Sequence, residues 1–161
     1  MRGFAAACIC AALLPGLALG QELKGEAQVL GADDLALGGL HFQLWGIDAP
    51  EMNQPCFIAG VGWECGPVAA RKLAEIVSLG PVTCEPRRDS DRTRRANRYA
   101  FCRNGSGADV ALEMVKAGMA YAVRAQTMDY AAAEDVARAA KLGMFRGVSM
   151  PPWEFRDAQR N

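Results

Sequence analysis

The run Phe42-Gln43-Leu44-Trp45-Gly46-Ile47-Asp48-Ala49-Pro50-Glu51 constrains this chain more than any other stretch. An apolar strand delivers Asp48 to its end, and a proline-stiffened turn then presents Glu51. Two carboxylates therefore stand beside one another at a strand end, where a cation or a water can sit. The strand needs neighbours, and the residues before it supply them. Gly25 to Leu30 reads as a strand, with Ala27 and Val29 alternating against polar residues. Gly31-Ala32-Asp33-Asp34 is turn chemistry, Leu35-Ala36-Leu37 resumes a strand, and Gly38-Gly39 turns it into Leu40 to Trp45. The result is a meander of three short strands.

Beyond Glu51, Met52 to Glu64 reads as a loop. Ala69, Leu73, Ile76 and Val77 then recur at helical spacing and stop at Gly80-Pro81. Val82 to Glu85 and Tyr99 to Cys102 read as two strands around an arginine-rich loop. Ala111, Met114, Val115 and Gly118 mark a second helix. Ala133, Val136, Ala137, Ala140 and Met144 mark a third, and the tail from Pro151 to Arg156 reads as extended and aromatic. Five strands with a helix after the third, followed by two more helices, predict an α+β domain built on a small closed barrel.

Residues 1–20 carry a short basic start, an apolar stretch from Phe4 to Leu19 and the small residues Ala18 and Gly20. That pattern predicts a signal peptide cleaved before Gln21, leaving one domain over residues 21–161. Pro15-Gly16 interrupts the apolar stretch, and it is too short to be a membrane anchor. The expected product is exported, periplasmic or secreted, without a membrane span, and monomeric. The formal net charge is zero, so the strongly basic footprint of a tight nucleic-acid binder is absent.

Four cysteines remain after the leader: Cys56, Cys65, Cys84 and Cys102. An even set in an exported chain favours disulfides, and four cysteines permit three pairings. The spacing favours Cys56–Cys65 across a glycine-containing loop and Cys84–Cys102 across a hairpin. A metal site is the competing reading, but no Cys-x-x-Cys occurs and His41 is the sole histidine.

With these residues in view, the chain resembles the staphylococcal nuclease (thermonuclease) family. The resemblance rests on Leu44 to Glu51, on Cys65-Gly66-Pro67-Val68-Ala69 opening a helix, and on Val115 to Ala120. Tyr130, Glu134, Ala137 and Arg138, and the tail from Gly143 through Arg156, extend it. It implies a five-stranded oligonucleotide/oligosaccharide-binding (OB) barrel with three helices, and calcium-dependent endonucleolytic hydrolysis of DNA and RNA. Such chemistry needs carboxylates to hold a hard cation, another to handle the attacking water, and guanidinium groups to clamp the phosphate. By resemblance, Asp33, Asp48 and the backbone carbonyl of Ala49 correspond to the metal ligands, and Glu51 to the general base.

The sequence departs from the family at the cations. Gln43 stands where the family carries an arginine on the third strand, and Asn97 where it carries another. Gly31 and Asp34 replace an aspartate and a threonine in the first turn. Arg95, or Arg94 or Arg98 in its place, is the candidate phosphate clamp from the lengthened loop. Glutamine can donate a hydrogen bond but supplies neither charge nor the guanidinium fork. The loss of such a contact costs ~3 kcal/mol or more of transition-state stabilisation, about a hundredfold in rate. The expectation is therefore an impaired nuclease. The alternative is an inactive nuclease-fold module that binds DNA or RNA weakly, or another exported partner.

Overall fold

The computed structural model describes residues 22–87 and 98–160, with the side chain of Arg98 left undescribed. The expected leader, Arg94, Arg95 and Asn97 lie outside the described residues. The elements run in order β1 (Leu23–Gly25), β2 (Gln28–Val29), β3 (Asp34–Leu37), β4 (Leu40–Leu44), β5 (Ile47–Asp48), β6 (Pro55–Ile58) and β7 (Val61–Glu64). Then come α1 (Cys65–Val77), β8 (Val82–Pro86), β9 (Arg98–Arg103), α2 (Val110–Lys116), β10 (Tyr121–Ala122) and α3 (Ala131–Ala139). A 3-10 turn (Gly143–Arg146) and α4 (Pro152–Arg160) complete the chain.

A curled six-stranded sheet in the order β1-β8-β9-β4-β3-β2 forms an OB-like half-barrel. The strand expected over Gly25 to Leu30 is reduced to β2 at Gln28–Val29, paired with β3, and a separate strand β1 (Leu23–Gly25), begun before it, pairs with β8. Gly25, at the end of β1, leaves room for Leu37 of β3, which belongs to the second expected strand. Strand β4 pairs antiparallel with β3 and parallel with β9, which puts Gln43 between Asp34 and Tyr99. Leu35, Leu37, Phe42, Leu44, Ile47, Leu73, Val82, Val110 and Met114 fill the interior. Their alternation along β3 and β4, and their helical spacing on α1 and α2, bury one face of each element.

Three expectations change. The loop over 52–64 contains the hairpin β6–β7, turned by Ala59 and Gly60, both at positive φ. Helix α3 ends at Ala139 rather than reaching Met144, and its buried face is Ala131, Glu134 and Ala137, leaving Val136 exposed. The register is set by Glu134, which accepts from Ala122 N–H and pairs with Arg138. The extended tail is instead the helix α4, begun by Pro152 at its first position, where a fixed φ favours a helix and no N–H is missed. The two expected disulfides, Cys56–Cys65 and Cys84–Cys102, are formed. Among the described residues no helix is long and apolar enough to cross a membrane.

Candidate functional site

The site grows from the end of β4. Gly46 holds φ +81 with Thr127 and Tyr130 packed where a Cβ would project, and its N–H is capped by Gln126 Oε1 at 2.8 Å. The chain then enters β5, whose Asp48 lies opposite Tyr121 of β10. From there Pro50 carries it to Glu51, whose N–H donates to Gln54 Oε1 at 3.2 Å. Gln54 is buried, and its Nε2 donates to Met150 O at 2.7 Å, tying the turn to the C-terminal segment.

Asp33 closes the site from the first turn, held there because its carbonyl accepts from Leu44 N–H. Its carboxylate Oδ2 accepts from Gln43 Nε2 at 3.2 Å and from Ala49 N–H at 3.3 Å. Burial pushes its pKa up to about 7, and the neighbouring Asp34 and Asp48 push the same way against those two hydrogen bonds. Asp34 is also raised, by burial first and then by Glu51 and Asp48, with His41 opposing. The structure thus brings Asp33, Asp34, Asp48 and Glu51 together. The sequence reading had treated Asp34 as a departure rather than a member of the cluster.

The cation that meets this cluster comes from the far end of the chain. Arg156, on the second turn of α4, donates from its two terminal nitrogens to the two oxygens of Asp48, at 3.0 and 2.7 Å. Its Nη1 also donates to Glu51 Oε1 at 2.7 Å. A planar fork against a carboxylate is the strongest side-chain pairing available, and Asp48 is buried, so water screens it little. The hydrogen bonds to Asp48 lift the arginine above its ordinary range, against the burial that opposes its charge. Nothing in the tail's local pattern announced this role, because Arg156 and Asp48 are 108 residues apart.

This geometry changes the reading of Gln43. Instead of pointing a donor at a phosphate, it spends Nε2 on Asp33. Ala49 meets Asp33 through its N–H, the contact by which it enters the site. A calcium ion takes six to eight oxygens. Here both oxygens of Asp48 and one of Glu51 are engaged by a guanidinium, and Asp33 is engaged by two N–H donors. Among the described residues no group of three His, Cys, Asp or Glu side chains is placed to hold a metal. With Arg156 seated, the donor set does not fit the ion.

Of the expected phosphate clamps, Arg94 and Arg95 lie outside the described residues, and Arg98 begins β9 beside Phe42. A separate cleft lies beside Trp45, the residue that follows β4. Its lining includes Trp45, Arg87, Phe101 and Tyr130, and it encloses about 640 Å³. The Arg87 guanidinium sits 4.6 Å from the Trp45 ring centre, and Tyr99 meets the same ring edge-on at 5.6 Å.

Known proteins bear on this arrangement. The succinoglycan biosynthesis protein ExoI of Rhizobium meliloti (strain 1021) is 29% identical over 129 residues, covering 78% of this chain and 66% of that protein. The chain therefore spans just under two thirds of that relative's length. The sequence profile of the staphylococcal nuclease homologues matches residues 41–146, which take in Asp48 and Glu51 but leave Asp33 and Arg156 outside. That match, laid over an OB-like half-barrel with its carboxylates at the end of β5, makes the chain a member of the staphylococcal nuclease homologue family.

Proposed function

We propose that this is an exported protein built on the family's phosphodiesterase centre, in which cleavage of DNA or RNA is impaired. The observation that carries the reading is the engagement of Asp48 and Glu51 by Arg156. A general base must present a free oxygen to the attacking water, and the Arg156 guanidinium takes Glu51 Oε1, leaving only the second oxygen for that role beside a fixed positive charge. A transition state with charge spread over phosphoryl oxygens needs cations aimed at it, and Gln43 is neutral and committed to Asp33. Calcium is the cofactor that ancestry implies, and the carboxylates as arranged do not present the oxygens it needs. The two disulfides and the leader pattern support export.

A second reading, binding of single-stranded nucleic acid without cleavage, is favoured by Trp45, Tyr99 and Arg87. Aromatic faces and guanidinium planes are what unpaired bases stack on. One experiment separates the two. Purified protein is incubated with labelled single-stranded DNA and calcium, beside a relative carrying both arginines. The expected result is cleavage slower by about a hundredfold or more. Cleavage at a comparable rate, abolished by Glu51→Ala, would overturn the reading. Retention of the intact strand on the protein would select the binding module.

A further inference from the structure

Away from the acidic turn and from the Trp45 cleft, another concavity lies among β10, the turn after it, α3 and the start of α4. It encloses about 460 Å³, within the range of small-molecule sites. Its lining is predominantly apolar, with Val123, Ala125 and the rings of Tyr121 and Trp153, and the arginines Arg124 and Arg138 border it. The walls are braced before any ligand arrives. Trp153 meets Tyr121 edge-on at 5.6 Å, and Tyr121 meets Phe145 edge-on at 5.4 Å. The Arg138 guanidinium lies over those last two rings, 5.1 Å from the Tyr121 centre and 4.3 Å from that of Phe145. Trp153 is 38% exposed, which leaves indole surface for a ligand to cover. Preformed walls spare an incoming molecule the cost of ordering them.

The polar groups of the lining decide what can enter. Glu134 is buried and spends both oxygens on the protein: Oε2 accepts from Ala122 N–H at 2.9 Å, and Oε1 accepts from Arg138 Nε at 2.6 Å. The Tyr121 hydroxyl is engaged by Ser149. The side-chain capacity left over is guanidinium N–H, which donates and never accepts. Arg124 gives Nη2 to Asp135 in a pair exposed on both sides, worth little enough for an incoming anion to displace it. The occupant must therefore bring an anionic acceptor, together with a flat apolar body to lie against the indole. A sugar fits poorly, because its hydroxyls need acceptors that these side chains do not offer. We propose that this cleft is a binding site for a small aromatic carboxylate, its ring against Trp153 and its two oxygens on the Arg124 fork. None of the lining residues belongs to the acidic turn, so the site stands whether or not the protein cuts DNA.

The test is a titration of the isotope-labelled protein with 2-naphthoate, followed by NMR at the Trp153 indole N–H and the amides of residues 122–125. Three further probes run beside it: neutral 2-naphthamide, the non-aromatic cyclohexanecarboxylate, and adenosine monophosphate. Naphthoate should give a saturable shift at those positions and bind at least about tenfold more tightly than each of the other three. Arg124→Gln, a surface change that leaves the core untouched, should weaken naphthoate by about tenfold and leave naphthamide unaffected. Trp153→Ala should weaken naphthoate and naphthamide alike. The proposal is overturned by the absence of a saturable shift at millimolar naphthoate, or by shifts that map to the Trp45 cleft instead. Equal binding of naphthamide or cyclohexanecarboxylate, or an unchanged naphthoate affinity in Arg124→Gln, rejects it as well. Tighter binding of adenosine monophosphate would make the cleft a nucleotide site and reject the aromatic carboxylate.

Discussion

At Asp33, burial and two neighbouring carboxylates work against ionisation, while Gln43 and Ala49 supply two donors that any carbonyl-type oxygen could accept. The sign of the effect on stability follows. A carboxylate whose proton is held more tightly in the fold than in the unfolded chain weakens the fold as pH rises from the ordinary carboxylate range through about 7. Asp33→Asn keeps an acceptor and removes the charge. It should therefore be at least as stable as the parent at pH 8, with the difference shrinking at pH 5. Asp33→Ala instead leaves the Gln43 amide and the Ala49 N–H without their acceptor, at a cost of about 1–3 kcal/mol. Urea denaturation of the three proteins at both pH values measures this, and an Asp33→Asn protein markedly weaker at pH 8 would contradict it. The sequence singled out Asp33, but not that its neighbours would be Asp34 and a neutral donor. Turn chemistry explains an aspartate there equally well, and only the register of β3 on β4 places Gln43 against it.

Among the elements, α1 and the turn carrying Glu51 depend on one close approach. A Cβ on Gly66, the second residue of α1, would sit 2.0 Å from Glu51 O and 2.8 Å from Met52 Cα. Backbone on the receiving side cannot swing away as a side chain would. Gly66→Ala should destabilise the protein by about 1–3 kcal/mol through overpacking and push Glu51 off its partner. Thermal denaturation checks it, and an unchanged midpoint would show that α1 can slide. The spacing of Ala69, Leu73, Ile76 and Val77 made α1 legible, because one apolar stripe every 3.6 residues has few other uses. The hairpin β6–β7 and helix α4 escaped for opposite reasons. Ala59-Gly60 is a turn with an atypical first residue, and the proline pair before Trp153 is compatible with either an extended segment or a helix start.

For the molecule as a whole, the two disulfides staple different halves of the fold. Cys84–Cys102 ties β8 to β9 in the main sheet, and Cys56–Cys65 ties the β6 hairpin to the start of α1, beside Phe57, whose backbone pairs with Val148. Closing loops of 18 and 9 residues removes chain entropy worth about 3 kcal/mol each. Paired Cys→Ser substitution at either bridge should lower the urea-extrapolated stability by about 2–4 kcal/mol, with the two losses roughly additive because the bridges share no partner. A bridge whose removal costs nothing would mark it as dispensable to the fold.

Taken alone, the sequence determined the features that local physics writes into neighbouring residues. These are the alternation of the strands, the stripes of α1 and α2, the acidic turn at the end of β5, and the pairing of cysteines across short loops. The tertiary structure alone decided which charges meet. Periodicity reports the face of an element, and a salt bridge spanning 108 residues has no period. Asp48 and Glu51 could be read as a site from their own turn, but their partner, Arg156, is set only by the packing that lays α4 across them.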